Sequence, residues 1–285
     1  MTLLSGRVVA VTGAGRGLGA AYAIDAAANG ASVVVSDLDG ELAEATARMI
    51  RERGGDAVGA AGAVDEPGSG DRLVDTAMNA FGRLDGVIAN AGVIAPRSVF
   101  EETRDSAAHM IDVNITGVIE TVIPVVRAMR DSGRGGSVVL ITSGARSGIA
   151  GMAVYGATKA AVASLCWGWA LECAPYDIRV NALSPVAKTA MFPQPGDTLS
   201  KPAAPEQVAP AATYLLSPLS QRITGQIVRF TGETLALSPS PALLSAHLDG
   251  QEWTVEKIAE AIEGPLRPGL AEVGAAEDLP VPLTI

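Results

Sequence analysis

Histidine, cysteine and basic residues are all scarce in this 285-residue chain, and each shortage excludes something. There are two cysteines, Cys166 and Cys173, seven apart in an apolar stretch of helical period, and two histidines, His109 and His247. Neither a disulfide framework nor a zinc site can be spaced from them, so no metal is expected. Lys and Arg number 21 against 31 Asp and Glu, a net charge of −10. The basic face that grips a phosphate backbone is therefore missing, and no nucleic-acid partner is expected. No run approaches the roughly 18 consecutive apolar residues of a bilayer-spanning helix. The opening MTLLSGRVVAVTG has no basic n-region or small-residue cleavage site. A soluble cytoplasmic chain with no membrane partner is the expectation. No internal repeat is present either. What remains is 48% apolar and only 18% charged, with 32 Gly and 17 Pro. Such a chain buries a large core, as one large α/β domain or two small ones.

Short β-branched runs alternate with longer alanine-rich segments of helical period, the pattern of βαβ units building a parallel sheet. Strands are expected at Arg7–Thr12, Ser32–Ser36, Ala57–Gly62, Gly86–Asn90, Ser137–Thr142, Arg179–Ser184 and Gln226–Phe230. Helices are expected at Leu18–Asn29, Asp39–Arg53, Gly70–Phe81, Asp105–Asp131, Val154–Ala174, Pro205–Ser217 and, near the end, Thr254–Glu263. Several strands are apolar without alternation, as in a doubly wound α/β sheet of seven parallel strands covered by helices on both faces. The proline-rich stretch from Val186 to Pro205 reads as a loop, which places it at the carboxyl edge where ligands bind.

The first strand runs directly into Thr12-Gly13-Ala14-Gly15-Arg16-Gly17-Leu18-Gly19, with Leu18 opening a helix. Glycines allow the tight turn and let backbone approach a pyrophosphate, which then rests on the helix amino terminus. Asp37 ends the second strand eighteen residues after Gly19, where a carboxylate accepts from the adenosine ribose hydroxyls and repels a 2′-phosphate. NAD is therefore expected over NADP. Arg16 points the other way, because a basic residue in the glycine loop suits a 2′-phosphate.

Tyr155 and Lys159 stand four apart, one turn along one helix face. An unperturbed tyrosine with pKa about 10 is a poor base at neutral pH. A neighbouring cation that stabilises its phenolate brings it towards the working range.

Thr12–Gly19, Asn90-Ala91-Gly92, Asn114 in a long helix, Ser143 after strand five and the Tyr155/Lys159 pair together resemble the short-chain dehydrogenase/reductase family in order and spacing. The resemblance spans roughly residues 4 to 235 and implies a single-domain Rossmann-type oxidoreductase. It implies that Tyr155 is the acid/base on the substrate oxygen and that Ser143 hydrogen-bonds that oxygen. It also implies that Lys159 binds the nicotinamide ribose and lowers the tyrosine pKa, while Asn114 holds a water linking Lys159 to solvent. Cofactor contacts are implied for Gly13, Gly15, Arg16, Gly17, Leu18, Gly19, Asp37, Val64, Asn90, Gly92 and Thr189, besides Tyr155 and Lys159. Three positions depart from the family pattern. Ser143 precedes Tyr155 by twelve residues rather than the more usual thirteen, which leaves Thr142 as a rival for the hydroxyl role. Val186 follows Pro185 where a glycine is usual, and Ala63 replaces an aspartate that reads adenine.

Specificity is expected between Ala187 and Pro205 and near Ile94–Val99, where Ile94, Met152, Met191 and Phe192 give an apolar lining with only Lys188, Lys201 and Arg97 as cations. A small apolar carbonyl or hydroxy substrate fits best. Pro205–Pro210, Tyr214–Ser217 and Thr224–Val228 resemble a branch that includes the hydroxyacyl-CoA dehydrogenase part of peroxisomal multifunctional enzymes and bacterial lipid and steroid dehydrogenases. The catalytic domain is expected over residues 1–235, with 236–285 an extension that caps the substrate site, packs on a neighbouring subunit or merely trails. The resemblance implies a homodimer or homotetramer assembled through Asp105–Asp131 and Val154–Ala174, and surplus apolar surface on the latter helix suggests a homo-oligomer. An NADP-dependent ketoreductase and a non-catalytic NAD-binding module remain as alternatives.

Overall fold

The computed structural model describes residues 2–187, 203–240 and 254–269. Eight strands form one sheet: β1 (Val8–Thr12), β2 (Ser32–Asp37), β3 (Asp56–Ala61), β4 (Gly86–Ala89), β5 (Gly136–Ile141), β6 (Ile178–Pro185), β7 (Ile227–Phe230) and β8 (Leu235–Ser238). Their order is β3-β2-β1-β4-β5-β6-β7-β8. The first seven are parallel and β8 is antiparallel to β7. Eight helices accompany them among the described residues: α1 (Gly17–Ala28), α2 (Gly40–Glu52), α3 (Ser69–Phe81), α4 (Arg104–Ile111), α5 (Gly117–Ser132), α6 (Ala153–Cys173), α7 (Pro205–Leu216) and α8 (Val255–Glu263).

Strand periodicity divides the core in two. Val9, Val11, Val33 and Val35 point to one face, under Tyr22 and Ala26 of α1, Ile50 of α2 and Leu215 of α7. Val8, Ala10 and Val34 point to the other, under Leu73 of α3, Val122 and Met129 of α5 and Cys166 of α6. With both faces covered, neither set of strand positions has reason to be polar, hence the unbroken apolar runs. Helix starts follow local chemistry. The Asp39 carboxylate accepts from the N–H of Glu41 (3.0 Å) and Leu42 (3.2 Å) at the start of α2, and Thr254 Oγ1 accepts from Lys257 N–H at 3.3 Å to start α8.

The chain leaves β1 towards β2 and β3, then returns to place β4 on the other side of β1 and continues outward. This reversal opens a crevice at the carboxyl ends of β1 and β4. At the opposite edge, Asp85 accepts from Val8 N–H (2.8 Å) and pairs with Arg83 (2.7 Å), tying β4 to β1 from below.

The structure corrects two sequence expectations. The sheet has eight strands rather than seven, because Thr231–Thr234 closes a turn, Thr231 N–H donating to Thr234 O at 3.1 Å, that folds Leu235–Ser238 back onto β7. The expected boundary between residues 235 and 236 thus falls inside β8. The single helix expected over Asp105–Asp131 is broken into α4 and α5 by a π-helical turn, Asp112–Thr116. The whole run Arg104–Ser132 is long and apolar enough by composition to span a bilayer, yet Val118, Val122, Val125 and Met129 of α5 pack into the core on the sheet.

Candidate active site

The nucleotide side of the crevice is built mainly from backbone. Gly13 adopts φ +61°, a left-handed conformation, and a Cβ there would stand 2.9 Å from Ala91 Cα. At Gly19 the backbone is ordinary, but a Cβ would lie inside the carbonyl oxygen of Gly13. Only glycine at these two places lets the loop close against β4 and α1. Gly17 opens α1 and Leu18 packs on the core beneath it. Arg16, exposed and extended, precedes the helix without a side-chain cap, so the first N–H groups of α1 are left to an anion.

Side chains lock that loop in place. Thr12 Oγ1 accepts from the N–H groups of Asn90 (3.0 Å) and Ala91 (3.1 Å), and Asn90 Nδ2 donates to the carbonyls of Thr12 (2.9 Å) and Gly13 (3.1 Å). Asn90 thus spends its amide on the loop. Asp37 Oδ2 accepts from Gly15 N–H at 2.8 Å and Oδ1 from Asp39 N–H at 3.1 Å, which fixes the carboxylate at the end of β2. Each oxygen keeps a lone pair. Val64 packs against Gly117, accepts from Ser69 Oγ at 2.7 Å, and lines a cavity of about 310 Å³ with Ala63, Ser36 and Arg72. This set of glycines, free helix amides and carboxylate fits a dinucleotide.

The other side of the crevice is built from side chains. Ser143 follows β5 and caps a short turn, Gly144–Ser147, its Oγ accepting from Ala145 N–H at 3.2 Å. The neighbouring Thr142 is buried and donates its hydroxyl to Lys159 O at 2.7 Å. Thr142 is committed to structure, and Ser143 presents the available hydroxyl. Tyr155 and Lys159, in the first turns of α6, are 6% and 4% exposed. Lys159 Nζ donates to Ile141 O at 3.0 Å and lies 5.8 Å from the Tyr155 ring centroid. Asn114, in the π turn and fully buried, accepts from Val93 N–H at 2.7 Å and donates to Val93 O (2.9 Å) and Thr158 Oγ1 (3.1 Å). Gly92 lies between the last two groups, since a Cβ on it would sit 3.0 Å from Asn114 Oδ1 and 3.4 Å from Lys159 Nζ. The apolar wall consists of Met110, Ala145 and Tyr155 with Val93, Ile94, Ala95 and Met152.

Electrostatics depart from expectation in sign. Burial pushes the Tyr155 phenol above its usual value, against a smaller downward pull from the hydrogen-bonding Ser143. Burial also brings Lys159 down to about 8. Both groups have left water, and that penalty on the charged forms outweighs the attraction expected between them. Burial therefore favours the protonated phenol.

Of the residues singled out in the sequence, Ser143, Tyr155, Lys159, Asn114 and Gly92 converge on one end of the crevice, and Gly13–Gly19, Asp37, Val64 and Asn90 on the other. Thr189, Lys188, Met191, Phe192 and Lys201 lie outside the described residues. Thr12 and Thr46, whose Oγ1 donates to Gly15 O at 3.2 Å, were missed as loop supports.

A family model described as short chain dehydrogenase matches residues 7–198. A 3-alpha-(or 20-beta)-hydroxysteroid dehydrogenase of Mycobacterium bovis is 35% identical over 242 residues, covering 82% of this chain and 91% of its own. A solved short chain dehydrogenase from Mycobacterium avium superposes with TM-score 0.85 at 29% identity, over 93% of this chain and 96% of its own. Another from Mycobacterium paratuberculosis, bound to NAD, gives 0.74 at 29% identity, over 81% and 98%. With the glycine crevice and the buried tyrosine already in place, these likenesses make the chain a member of the short-chain dehydrogenase family, an oxidoreductase that uses a nicotinamide cofactor.

Proposed function

We propose that this oxidoreductase is NAD-dependent and interconverts a secondary alcohol and a ketone on an apolar substrate, with Tyr155 as acid/base. The observation that carries the reading is the pairing of a buried Tyr155 with Ser143, next to an apolar wall and one helical turn from a buried Lys159. Bound nicotinamide supplies or accepts the hydride. The protein's own task is to hold the substrate oxygen and handle one proton. Ser143 orients that oxygen, and Tyr155 donates its phenolic proton when a ketone is reduced and takes it back when an alcohol is oxidised. Lys159, already near its titration point, supplies positive charge beside the phenol as the proton leaves. Asn114 is a positioning residue: both its amide protons are spent on Val93 and Thr158, so it offers a water beside Lys159 only an acceptor, while the ammonium donates. Asp37, held towards the glycine loop, supports NAD because a 2′-phosphate there meets a fixed carboxylate. The protein is further read as a cytoplasmic homo-oligomer whose residues 1–235 carry the catalysis.

Turnover of an apolar methyl ketone with NADH, followed by nicotinamide absorbance, is the test. Tyr155→Phe is expected to lower kcat by about 10³-fold while NADH still binds, in line with general acid catalysis. Turnover retained in that variant would remove Tyr155 from the chemistry.

A further inference from the structure

A second cluster of polar groups flanks Ser143. Arg146, three residues on, donates from Nη1 to Ser143 O at 3.1 Å and from Nη2 to Ser238 Oγ on β8, so it spans from the turn to the last strand. Arg229 of β7 reaches the same place from the sheet. Its Nη1 would be 2.6 Å from a Cβ on Gly144, so the guanidinium lies on the bare Cα of the residue after Ser143. Both arginines are half-buried. Burial, with the Arg229 guanidinium nearby, holds Arg146 below its ordinary pKa.

Among the described residues no carboxylate matches this cationic charge: none lies within ion-pair distance of either arginine, and the Arg229 side chain has no hydrogen-bond partner. A buried hydroxyl of β6 is idle as well. Ser184 stands opposite Arg229 in the parallel register of β6 and β7, hence on the same face of the sheet, and its Oγ is fully buried without a partner. Arg229 with no partner, and Arg146 with one bond on each Nη, keep N–H donors open beside the residue that orients the reacting oxygen, and the buried Ser184 hydroxyl costs free energy unless it finds a partner. Guanidinium forks match the paired oxygens of a carboxylate or phosphate.

We infer that Arg229 and Arg146, with Ser184, form an oxyanion-binding subsite, and that the substrate is an apolar carbonyl or alcohol bearing a carboxylate or phosphate. This deepens the proposed function and rests on it. The cleft divides the substrate: Val93, Ile94 and Met152 receive the hydrocarbon part, Ser143 and Tyr155 the reacting oxygen, and the arginines the anion.

Two measurements on the full chain test the subsite. In the first, a series of 2-ketones ending in a carboxylate is turned over with NADH beside the methyl esters of the same acids. The wild type is expected to favour the acids in kcat/KM by about tenfold to hundredfold, the range for charge-assisted hydrogen bonds. In Arg229→Gln the acid-to-ester ratio falls towards one, carried by KM, and in Arg229→Lys it is partly restored. The second needs no turnover: calorimetric titration of hexanoate, hexyl phosphate and hexanol into the NAD-loaded protein. One of the two oxyanions is expected to bind about tenfold tighter than hexanol, and which one names the group. Equal affinity for all three, or an acid-to-ester ratio that survives Arg229→Gln, overturns the subsite. Ester turnover that needs Tyr155 would persist through that failure, so the proposed reaction and the subsite stand or fall separately.

Discussion

The two halves of the crevice are made of different material. Around β1, β2 and β4 the site is backbone: a glycine loop, helix amides, and carbonyls clasped by Asn90 and Thr12. Around β5, β6 and β7 it is side chain: Ser143, Tyr155, Lys159, and the two arginines beyond them. The difference teaches where each half is vulnerable. A backbone site has no atom to delete and is damaged by adding one. A site of buried polar side chains is damaged by deletion, and it is costly to the fold while intact.

The harshest way to break the backbone half is Gly19→Ala. Its new Cβ meets the Gly13 carbonyl oxygen, which no change of rotamer can move. We expect a cost at or above about 3 kcal/mol, the upper range of overpacking, and loss of NADH binding. Gly17→Ala is the control: its φ is +60° with open space around the Cβ position, so strain alone costs about 1 kcal/mol. Thermal unfolding and NADH fluorescence titration check both. Equal binding by the two variants would show that close packing at Gly19 is not what shapes the loop.

The side-chain half predicts the opposite sign. Lys159 falls from 10.5 to about 8 on burial, so the unfolded chain binds more protons between those values and stability rises with pH across that window. Below it the buried charge costs about 3 kcal/mol. Lys159→Met is expected to stabilise the fold at pH 7 by about 2 kcal/mol, net of the lost bond to Ile141 O, while turnover collapses. Denaturant unfolding at pH 7 and pH 9.5 reads it: the gain shrinks at the higher pH. A destabilised variant at pH 7 would mean that the ammonium is well solvated after all.

The same contrast governs what was legible in the sequence. Backbone sites need a contiguous motif, so Gly13–Gly19 stood in plain view, and Asp37 followed from its spacing after the loop. Helical spacing showed Tyr155 and Lys159 only as a pair one turn apart, and their catalytic reading came from the resemblance carried by the ordered motifs around them. Arg146 and Arg229 were not, since only the pairing of β7 with β6 and the absence of a side chain at Gly144 bring them together. The π turn at Asn114 and the four-residue β8 escaped for a related reason: periodicity over so short a span cannot tell a broken helix from a continuous one, or a strand from a tail. The direction of the Tyr155 shift escaped because charge spacing is visible in a sequence and desolvation is not.

Asp37 is the exception within the backbone half, a side chain on which the proposed choice of NAD rests, and it gives the finest test of the contrast. Asp37→Asn keeps an oxygen for Gly15 N–H, so the loop survives, and Asp39 N–H at the surface finds water instead. Only the charge is removed. A carboxylate and a phosphate about 4 Å apart repel by a few kcal/mol at the effective dielectric of a protein surface, part of it screened by salt. The NAD-to-NADP ratio in kcat/KM is therefore expected to fall by about tenfold, through KM for NADP and with little change for NAD. The fall grows as salt is lowered, because less of the repulsion in the wild type is then screened. A wild type that already prefers NADP would hand the choice to Arg16, the exposed cation of the same loop, and make the nucleotide half depend on a side chain that its backbone does not hold in place.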